Sequence, residues 1–315
     1  MQITHYRVSA LGYEPRQGTT ISERRDELRN LLCAHIEEER PDLVVLPETV
    51  LTEDMQCPPA EYAEPEDGIS AQMIAEIAQK YSVNICFPFV ELLKNRYYNC
   101  ALYINREGRH AGKYHKRVPT PAELDRGIMP GSAVQDAAVI DGIRIGTAIC
   151  FDENFPDLIW DHISMGVDLI VFPSYTYAGE LMRNWAYNCG VPLVCAFPWE
   201  SVIYDRDGTV LAKAGSDTST VYLGYHPPRV CATISMQSRM YHLDYNQTKL
   251  KEIYKKYGGI VNVKLLVPDG RMMITALKPD ININRIEQEF GLVPLGRYLR
   301  TSRARCSSPA GCEHL

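Results

Sequence analysis

Cys150 is the residue of this 315-residue sequence best placed to act as a nucleophile. It follows the apolar run Ile143–Ile149, which predicts a strand, and it precedes the polar break Phe151–Pro156. A thiolate at the end of a strand can be exposed at the sheet edge, with backbone N–H groups beside the reacting carbon. Most cysteines are packing residues, and a reactive one needs a base and control of its pKa. Cys150 is therefore a candidate only together with suitable partners.

Two charged residues could supply the base and the cation for such chemistry. Glu48 follows the apolar run Leu43–Leu46 and Pro47, and a carboxylate at the tip of a buried strand is costly unless it is solvated or used. Lys116 lies in the cationic cluster Gly112–Arg117. Position alone favours a cap or loop charge for Glu48 and a solvated face for Lys116. A catalytic interpretation therefore depends on the set of three residues.

The elements that must position these residues alternate between helices and strands. Amphipathic periodicity predicts helices at Glu23–Glu39, Ile69–Tyr81, Pro156–Met165 and Met182–Cys189. Apolar runs predict strands at Leu43–Leu46, Val83–Val90, Tyr98–Ile104, Ile143–Ile149, Val167–Phe172, Val191–Phe197 and Ser201–Tyr204. Turn signals at Glu107-Gly108 and Asp207-Gly208 predict hairpins. This alternation predicts an α/β fold, and two successive halves of similar make-up indicate two packed sheets with helices outside.

The character of the sequence changes after about residue 225. A basic helix at Lys249–Tyr257 is followed by a hairpin over 263–274 and by a short helix with Asn284 as its N-cap. The Arg-, Ser- and Gly-rich end predicts a disordered tail. We therefore divide the chain into a main domain (1–225), a C-terminal extension (226–300) and a disordered tail (301–315).

The three candidate residues and their neighbours resemble the Glu-Lys-Cys triad of the nitrilase superfamily, the carbon–nitrogen hydrolases. The motifs that carry the resemblance are Leu46-Pro47-Glu48, Tyr114-His115-Lys116 and Ile149-Cys150-Phe151-Asp152, supported by Tyr98-Asn99-Cys100-Ala101, Phe155-Pro156, Val171–Ser174 and Val202–Gly208. The resemblance covers roughly residues 3–225 and is specific because the motifs occur as an ordered set. It implies the family's four-layer αββα sandwich. The C-terminal extension would then either cross to a partner or cover the site.

The resemblance also implies a thiol mechanism that needs no metal and no organic cofactor. Glu48 would take the proton of Cys150, and the thiolate would attack an amide or nitrile carbon to form a thioester. Lys116 and the backbone N–H of Phe151 would stabilise the negative charge that develops on the substrate. Glu123, seven residues after Lys116, matches a second glutamate that family members use to orient the substrate and the triad.

Three further residues are expected to support the site. Asn99 would hold a strand or the triad through buried hydrogen bonds. Asp152 would hold the cysteine loop rather than act chemically. Tyr175 follows the strand that ends at Pro173, and we interpret it as a candidate substrate contact, with packing as the alternative.

Signals for the substrate class conflict. The Pro-Thr-x-x-Glu form of Pro119–Glu123 is similar to the true nitrilases, whereas Cys150–Asn154 departs from their Cys-Trp-Glu-Asn segment and looks more like the amidase-type branches. We therefore expect cleavage of a non-peptide amide or N-carbamoyl compound with release of ammonia or an amine. A nitrilase, a soluble amide-forming acyltransferase and a non-catalytic scaffold or binding protein stay open. A Cys-His hydrolase using His115 or a solvent-facing His162 is a further alternative.

Composition narrows the classes of partner. The net charge of −6 argues against a general nucleic-acid binder. No apolar run approaches the roughly 18 residues of a membrane span, and the N-terminus lacks a signal-peptide stretch. The ten cysteines form no Cys-x-x-Cys pair, which favours reduced thiols in the cytoplasm. Because members of this fold commonly pair through outer helices, we expect a homodimer or higher homo-oligomer acting on a small amide or nitrile.

Overall fold

The computed structural model describes residues 3–177, 179–215, 228–278 and 280–307. Its strands are β1 (His5–Leu11), β2 (Leu43–Val45), β3 (Asn84–Leu93), β4 (Arg96–Ile104), β5 (His110–His115), β6 (Ala138–Ile140), β7 (Ile143–Thr147), β8 (Leu169–Pro173), β9 (Leu193–Ala196), β10 (Glu200–Tyr204), β11 (Val210–Gly215), β12 (Arg229–Ser235), β13 (Ser238–His242), β14 (Val261–Leu266) and β15 (Arg271–Ala276). Its α-helices are α1 (Ile21–Glu39), α2 (Ile69–Tyr81), α3 (Pro121–Asp125), α4 (Pro156–Met165), α5 (Glu180–Cys189), α6 (Leu250–Tyr257), α7 (Ile283–Phe290) and α8 (Leu295–Cys306).

Two six-stranded sheets repeat one arrangement. The first sheet has the order β12-β1-β2-β3-β4-β5, and the second has the order β11-β10-β9-β8-β7-β6. Strands β1, β2 and β3 are parallel, as are β7, β8 and β9, and antiparallel strands complete both sheets. The parallel strands are joined through helices, and consecutive antiparallel strands such as β3 and β4 are joined through short turns.

The sheets pack face to face with helices outside them. Val45 and Val171 belong to the core between the two sheets. Leu28 of α1 and Ile74 of α2 pack on the outer face of the first sheet. Trp185 of α5 belongs to the corresponding core on the outer face of the second sheet, together with residues of α4. The predicted four-layer αββα sandwich is therefore confirmed. The central strands have continuous apolar sequences because both faces of each sheet are buried.

Capping residues determine where α1 begins and ends. Because β2 follows α1, they also determine the position of β2 and of Glu48, which comes after it. The Thr20 hydroxyl accepts a hydrogen bond from the Glu23 N–H at 3.3 Å, and the Glu23 carboxylate accepts one from the Thr20 N–H at 2.8 Å. This capping box satisfies N–H groups that the first turn leaves unpaired. The helix ends at Arg40, whose φ of 48° is left-handed, and the chain then turns into β2.

The segment after residue 225 contributes to more than one layer. Strand β12 pairs with β1 in the first sheet. A strand of the sandwich therefore lies after residue 225, where we placed the end of the main domain. The division of the chain into domains stays a prediction. Strands β13, β15 and β14 form a separate sheet. Helix α8 then lies on α4 of the same chain. There Arg300 donates to the Ile163 carbonyl at 2.7 Å, and the Arg303 guanidinium lies 4.2 Å from the centre of the Trp160 ring.

The C-terminal helices differ from the sequence prediction in two respects. Asn282, not Asn284, caps α7, because its side chain accepts the Asn284 N–H at 2.8 Å. The segment Thr301–Cys306 is helical, although we expected a disordered tail from residue 301. The short polar segment lacks apolar periodicity, and its helical form depends on packing against α4. The rest of that tail, 308–315, lies outside the described residues.

The described residues also bear on the chemical environment of the chain. Every helix among them is too short or too polar to span a lipid bilayer. The nine cysteines that the structure describes are free thiols, and Cys86, Cys100, Cys189 and Cys195 are buried among apolar side chains. The cytoplasmic location stays a prediction.

Substitution of Gly146 in β7 tests how tightly the strand that leads to Cys150 packs against α4. A Cβ at this position would lie 2.2 Å from Cδ2 of His162 and 3.0 Å from Cγ1 of Val167. We expect Gly146→Ala to lower the free energy of unfolding by about 1–3 kcal/mol, because overpacked cores must shift side chains or backbone. Urea denaturation followed by circular dichroism measures the change.

Gly296→Ala in α8 is the matched control. Its Cβ would approach only the flexible end of Arg300, at 3.3 Å, and alanine is the better helix former. We expect this variant to be neutral or slightly stabilised. An equal loss of stability in both variants would contradict tight packing at Gly146.

Candidate active site

Cys150 stands in a strained turn just after β7. Its φ is 45°, a left-handed value that is uncommon for a residue with a side chain. It begins a 3₁₀ turn, Cys150–Asn154, whose first N–H groups, including that of Phe151, have no acceptor within the turn. The Cys150 sulfur lies 3.8 Å from the Thr176 hydroxyl. The turn thus presents a partly exposed thiol beside the backbone N–H of Phe151.

Asp152 holds this turn in place. One carboxylate oxygen accepts the Val118 N–H at 2.9 Å, and the other accepts the Ile149 N–H at 3.0 Å and the Tyr114 hydroxyl at 2.9 Å. Burial raises the pKa of Asp152 to about 6, although the backbone hydrogen bonds act in the opposite direction. Asp152 is therefore placed as the sequence predicted, as a support for the cysteine turn.

Glu48 follows β2 and is buried, with 4% of its surface exposed. One of its carboxylate oxygens accepts hydrogen bonds from Lys116 Nζ and from Asn99 Nδ2, both at 2.7 Å. The other oxygen accepts the backbone N–H of Tyr175 at 3.0 Å. These donors balance the cost of burying the carboxylate.

Lys116 follows β5 and is almost completely buried between two carboxylates. Its ammonium lies 2.7 Å from Glu48 and 2.8 Å from Glu123. Burial alone would lower the pKa of Lys116, but the charges of Glu48 and Glu123 raise it above its ordinary value. The ammonium is therefore charged at neutral pH.

Glu123 reaches this ammonium from the first turn of α3. Thr120 caps the helix, and the Glu123 carboxylate accepts the Thr120 N–H at 2.7 Å. Asn99 donates to Glu123 at 2.9 Å from the same amide nitrogen that donates to Glu48. Burial alone would raise the pKa of Glu123, but the charge of Lys116 and these hydrogen bonds lower it below its ordinary value. Glu123 is therefore an ionised partner of Lys116.

The environment of the thiol favours its protonated form. Burial, followed by the charge of Glu48, raises the pKa of Cys150 to about 12, although Lys116 and a hydrogen bond with Ser174 act in the opposite direction. The resting site therefore holds a thiol next to a carboxylate, which is the arrangement that general-base activation requires.

Two residues near the site were not found from the sequence. One is Ser174, which follows strand β8 and lies beside Cys150. The other is Glu53, whose pKa is raised to about 7 by burial and then by the charge of Glu48. Ser174 was quoted within a motif, but its type alone carries no signal. Glu53 lies in a loop without periodicity, five residues after Glu48, and the sequence does not show that this loop turns Glu53 back toward Glu48.

Tyr175 contributes its backbone to the site and its ring to the surroundings. Its N–H holds Glu48, and its ring meets that of Trp199 edge to face at 4.9 Å. Trp199 is 42% exposed and donates its indole N–H to Glu14 at 2.6 Å. These aromatic rings form a partly open wall on the Tyr175 side of the triad.

The two histidines of the Cys-His alternative make their hydrogen bonds elsewhere. His115 is hydrogen-bonded to Glu91 and stacks on Tyr98, with 4.5 Å between the ring centres. His162 is buried, not solvent-facing as we expected, and its ring nitrogens lie 2.7 Å from the Leu158 carbonyl and 3.2 Å from that of Thr147. The prediction that His162 faces solvent was wrong because two sides of α4 are covered, one by β7 and another by α8. The hydrogen-bond partners of both histidines are therefore groups other than Cys150.

A cluster of possible metal ligands lies beside the site. Ligand atoms of Glu91, Cys100 and His115 are within 4.8 Å of one another. However, Lys113 donates to one carboxylate oxygen of Glu91 at 2.5 Å, and His115 is bonded to the other. A cation would have to displace both partners, so we assign this cluster a structural role in holding β5.

The fold and the site together define the class. A Glu-Lys-Cys cluster lies at the strand ends of an αββα sandwich, and residues 7–231 match the model of the family described as Carbon-nitrogen hydrolase. The chain therefore belongs to the carbon–nitrogen hydrolase family and is an enzyme of the nitrilase superfamily. The resemblance found in the sequence is confirmed.

Individual relatives are distant but consistent with this family. Over 203 residues, the chain is 29% identical to a protein of Pseudomonas protegens named "Hydrolase in pqqF 5'region", covering 57% of this chain and 70% of that protein. Over 205 residues, it is 28% identical to the 2-oxoglutaramate amidase of Bacillus subtilis, covering 59% and 78%. Nit3 of Saccharomyces cerevisiae, a member of branch 10 of the nitrilase superfamily, has a similar fold, with a TM-score of 0.63 at 18% identity over 74% of this chain and 90% of that one.

Asp152→Asn tests the support of the cysteine turn. An amide in place of the carboxylate would turn an N–H₂ group toward an N–H donor in either orientation, leaving a buried donor unpaired. We expect a loss of about 1–3 kcal/mol in the free energy of unfolding and slower alkylation of Cys150 by iodoacetamide, measured by mass spectrometry.

Tyr114→Phe is the control for this change. It removes one donor to Asp152 and leaves both backbone hydrogen bonds, so we expect a smaller loss of about 0.5–1.5 kcal/mol with Cys150 alkylation near that of the unchanged protein. Unchanged stability and alkylation in Asp152→Asn would contradict the supporting role.

Proposed function

We propose that this enzyme is an amidase that hydrolyses a small non-peptide amide or N-carbamoyl compound through a thioester on Cys150. The observation that carries the proposal is the buried Glu48 carboxylate, which Lys116 holds at 2.7 Å and whose charge raises the pKa of the neighbouring Cys150 thiol. The amidase relative and the amidase-like segment Cys150–Asn154 support an amide over a nitrile.

In the first half-reaction, Glu48 takes the proton of Cys150 as the sulfur attacks the amide carbon. Negative charge moves to the carbonyl oxygen, where the Phe151 N–H and the Lys116 ammonium can donate hydrogen bonds. An ammonium has three N–H donors, and among the described residues two of those of Lys116 are used by Glu48 and Glu123. The third is available to the oxyanion. Such contacts each contribute about 10²–10³ in rate.

The proton held by Glu48 then goes to the departing nitrogen, which leaves as ammonia or an amine. The acyl group remains on the sulfur as a thioester. Glu48, again ionised, takes a proton from a water molecule that attacks the thioester carbon, and the proton returns to the sulfur as the carboxylic acid leaves. Glu123 keeps Lys116 in position throughout, because its carboxylate and that of Glu48 hold the ammonium from two directions.

Ammonia release from a panel of small amides, N-carbamoyl compounds and nitriles tests the proposal. We expect release from amides or N-carbamoyl compounds and its loss in Cys150→Ala, since the sulfur forms the intermediate. Cys86→Ala, a buried thiol in β3, is the control and should keep activity in proportion to its folded fraction.

Other outcomes of this panel would favour the alternatives. Release from nitriles alone would identify a nitrilase. Formation of a new amide with a simple amine in preference to the acid would favour an acyltransferase. A folded protein that releases nothing from any compound and forms no adduct at Cys150 would favour a scaffold or binding protein.

Glu48→Gln separates the two effects of this carboxylate. Because the Glu48 charge raises the pKa of the Cys150 thiol, its removal should shift thiolate formation to lower pH, while loss of the base should reduce kcat at least about 10²-fold. Absorbance at 240 nm against pH measures the thiolate, with the Cys150→Ala spectrum subtracted. A thiolate pKa that rises or stays unchanged in Glu48→Gln would contradict the assigned contact.

A further inference from the structure

A large cavity of the described structure lies away from Cys150. It has a volume of about 1070 Å³ and opens between α4 of the sandwich and the C-terminal elements β13, α7 and α8. Glu48, Lys116 and Cys150 are not among its lining residues. Small-molecule sites usually have volumes of roughly 300–1,000 Å³, so this cavity can hold a ligand of the size of a metabolite. The proposed amidase reaction does not use it.

Positive charge dominates this cavity. Its lining contains five arginines and two carboxylates, namely Arg206, Arg239, Arg297, Arg300 and Arg305 with Asp168 and Glu287. This is unusual because the whole chain has a net charge of −6. Several guanidinium groups converging on one space repel one another and create a positive potential that favours an anion. The geometry of guanidinium matches phosphate and carboxylate in particular.

Arg206 contributes a buried charge at the wall of the cavity. It is 3% exposed, pairs with Asp205 at 3.2 Å and donates to the Ser235 carbonyl at 2.7 Å. Burial lowers the pKa of Arg206 to about 10; Asp205 acts in the opposite direction, and the neighbouring Arg239 lowers it further. Arg206 and Arg239 therefore both contribute positive charge at this wall, which a bound anion would balance.

The rim of the cavity is aromatic. Tyr245 and Tyr298 line it, with 6.2 Å between their ring centres, and His242 stacks on Tyr298 at 4.5 Å. Tyr245 is 70% exposed and has a φ of 62°, which is uncommon for a bulky residue. An exposed ring held in this conformation next to a second ring offers a stacking surface for a planar group.

We propose that this cavity binds a nucleotide, with its phosphates among the arginines and its base against Tyr245. The cavity volume, the excess of guanidinium groups and the adjacent rings together match a ligand that carries both an anionic and a planar aromatic part. Arg297 is exposed on α8, and Arg300 is held by the Ile163 carbonyl at 2.7 Å. Both arginines lie on the helix that connects the C-terminal part of the chain to α4.

Calorimetric titration of the full chain with ATP at 0.15 M salt tests this site. We expect saturable binding, weakened about 10- to 100-fold by Arg297→Ala and at least about fivefold by Tyr245→Ala. Lys255→Ala, which removes an exposed charge on α6, is the control and should bind as the unchanged protein does. Cys150→Ala should also bind ATP unchanged, so the result does not depend on the proposed amidase activity.

Two comparisons locate the parts of the ligand. Pyrophosphate should compete with ATP, and its own binding should be weakened by Arg297→Ala but not by Tyr245→Ala. The proposal is overturned by the absence of ATP binding, or by binding that Arg297→Ala and Tyr245→Ala leave unchanged. Equal weakening by Lys255→Ala would also overturn it, because that result indicates general charge attraction rather than a site.

Discussion

The buried ammonium of Lys116 is the group on which the arrangement of the site depends. Removing an ion from water costs several kcal/mol unless partners of opposite charge and suitable geometry surround it. Glu48 and Glu123 meet this requirement at 2.7 and 2.8 Å, and Asn99 donates to both carboxylates from one nitrogen. The two carboxylates outweigh the single ammonium, and burial with the Glu48 charge keeps Cys150 protonated. In the mechanism that we propose, the thiol is activated when Glu48 accepts its proton.

The sandwich brings these groups together because they follow strands of two facing sheets. Glu48 follows β2 and Lys116 follows β5 in the first sheet, whereas Cys150 follows β7 and Tyr175 follows β8 in the second. The carboxyl ends of parallel strands are where α/β sheets place their functional loops. The hydrogen bond from the Tyr175 N–H to Glu48 joins the two sheets directly at this edge. The geometry of the triad therefore depends on sheet-to-sheet packing.

The C-terminal segment changes the outer surface rather than the chemistry of the triad. Helix α8 lies on α4, where Arg303 covers the Trp160 ring and Arg300 reaches the Ile163 carbonyl. We expected copies of the chain to pair through the outer helices. Here α8 of the same chain covers part of α4, and homo-oligomerisation stays a prediction. The same packing leaves the arginine-lined cavity between the two parts.

Periodicity and turn residues were sufficient for much of the fold, because α2 and α4 repeat their apolar residues every three to four positions and β2 and β8 are short apolar runs. The ordered motifs were sufficient for the family and named the residues that gather in the site. Tertiary packing alone decided the rest. It buried His162, extended α8 over Thr301–Cys306 and turned His115 toward Glu91. Local sequence encodes which face of an element is apolar, but contacts between distant segments determine which charges meet.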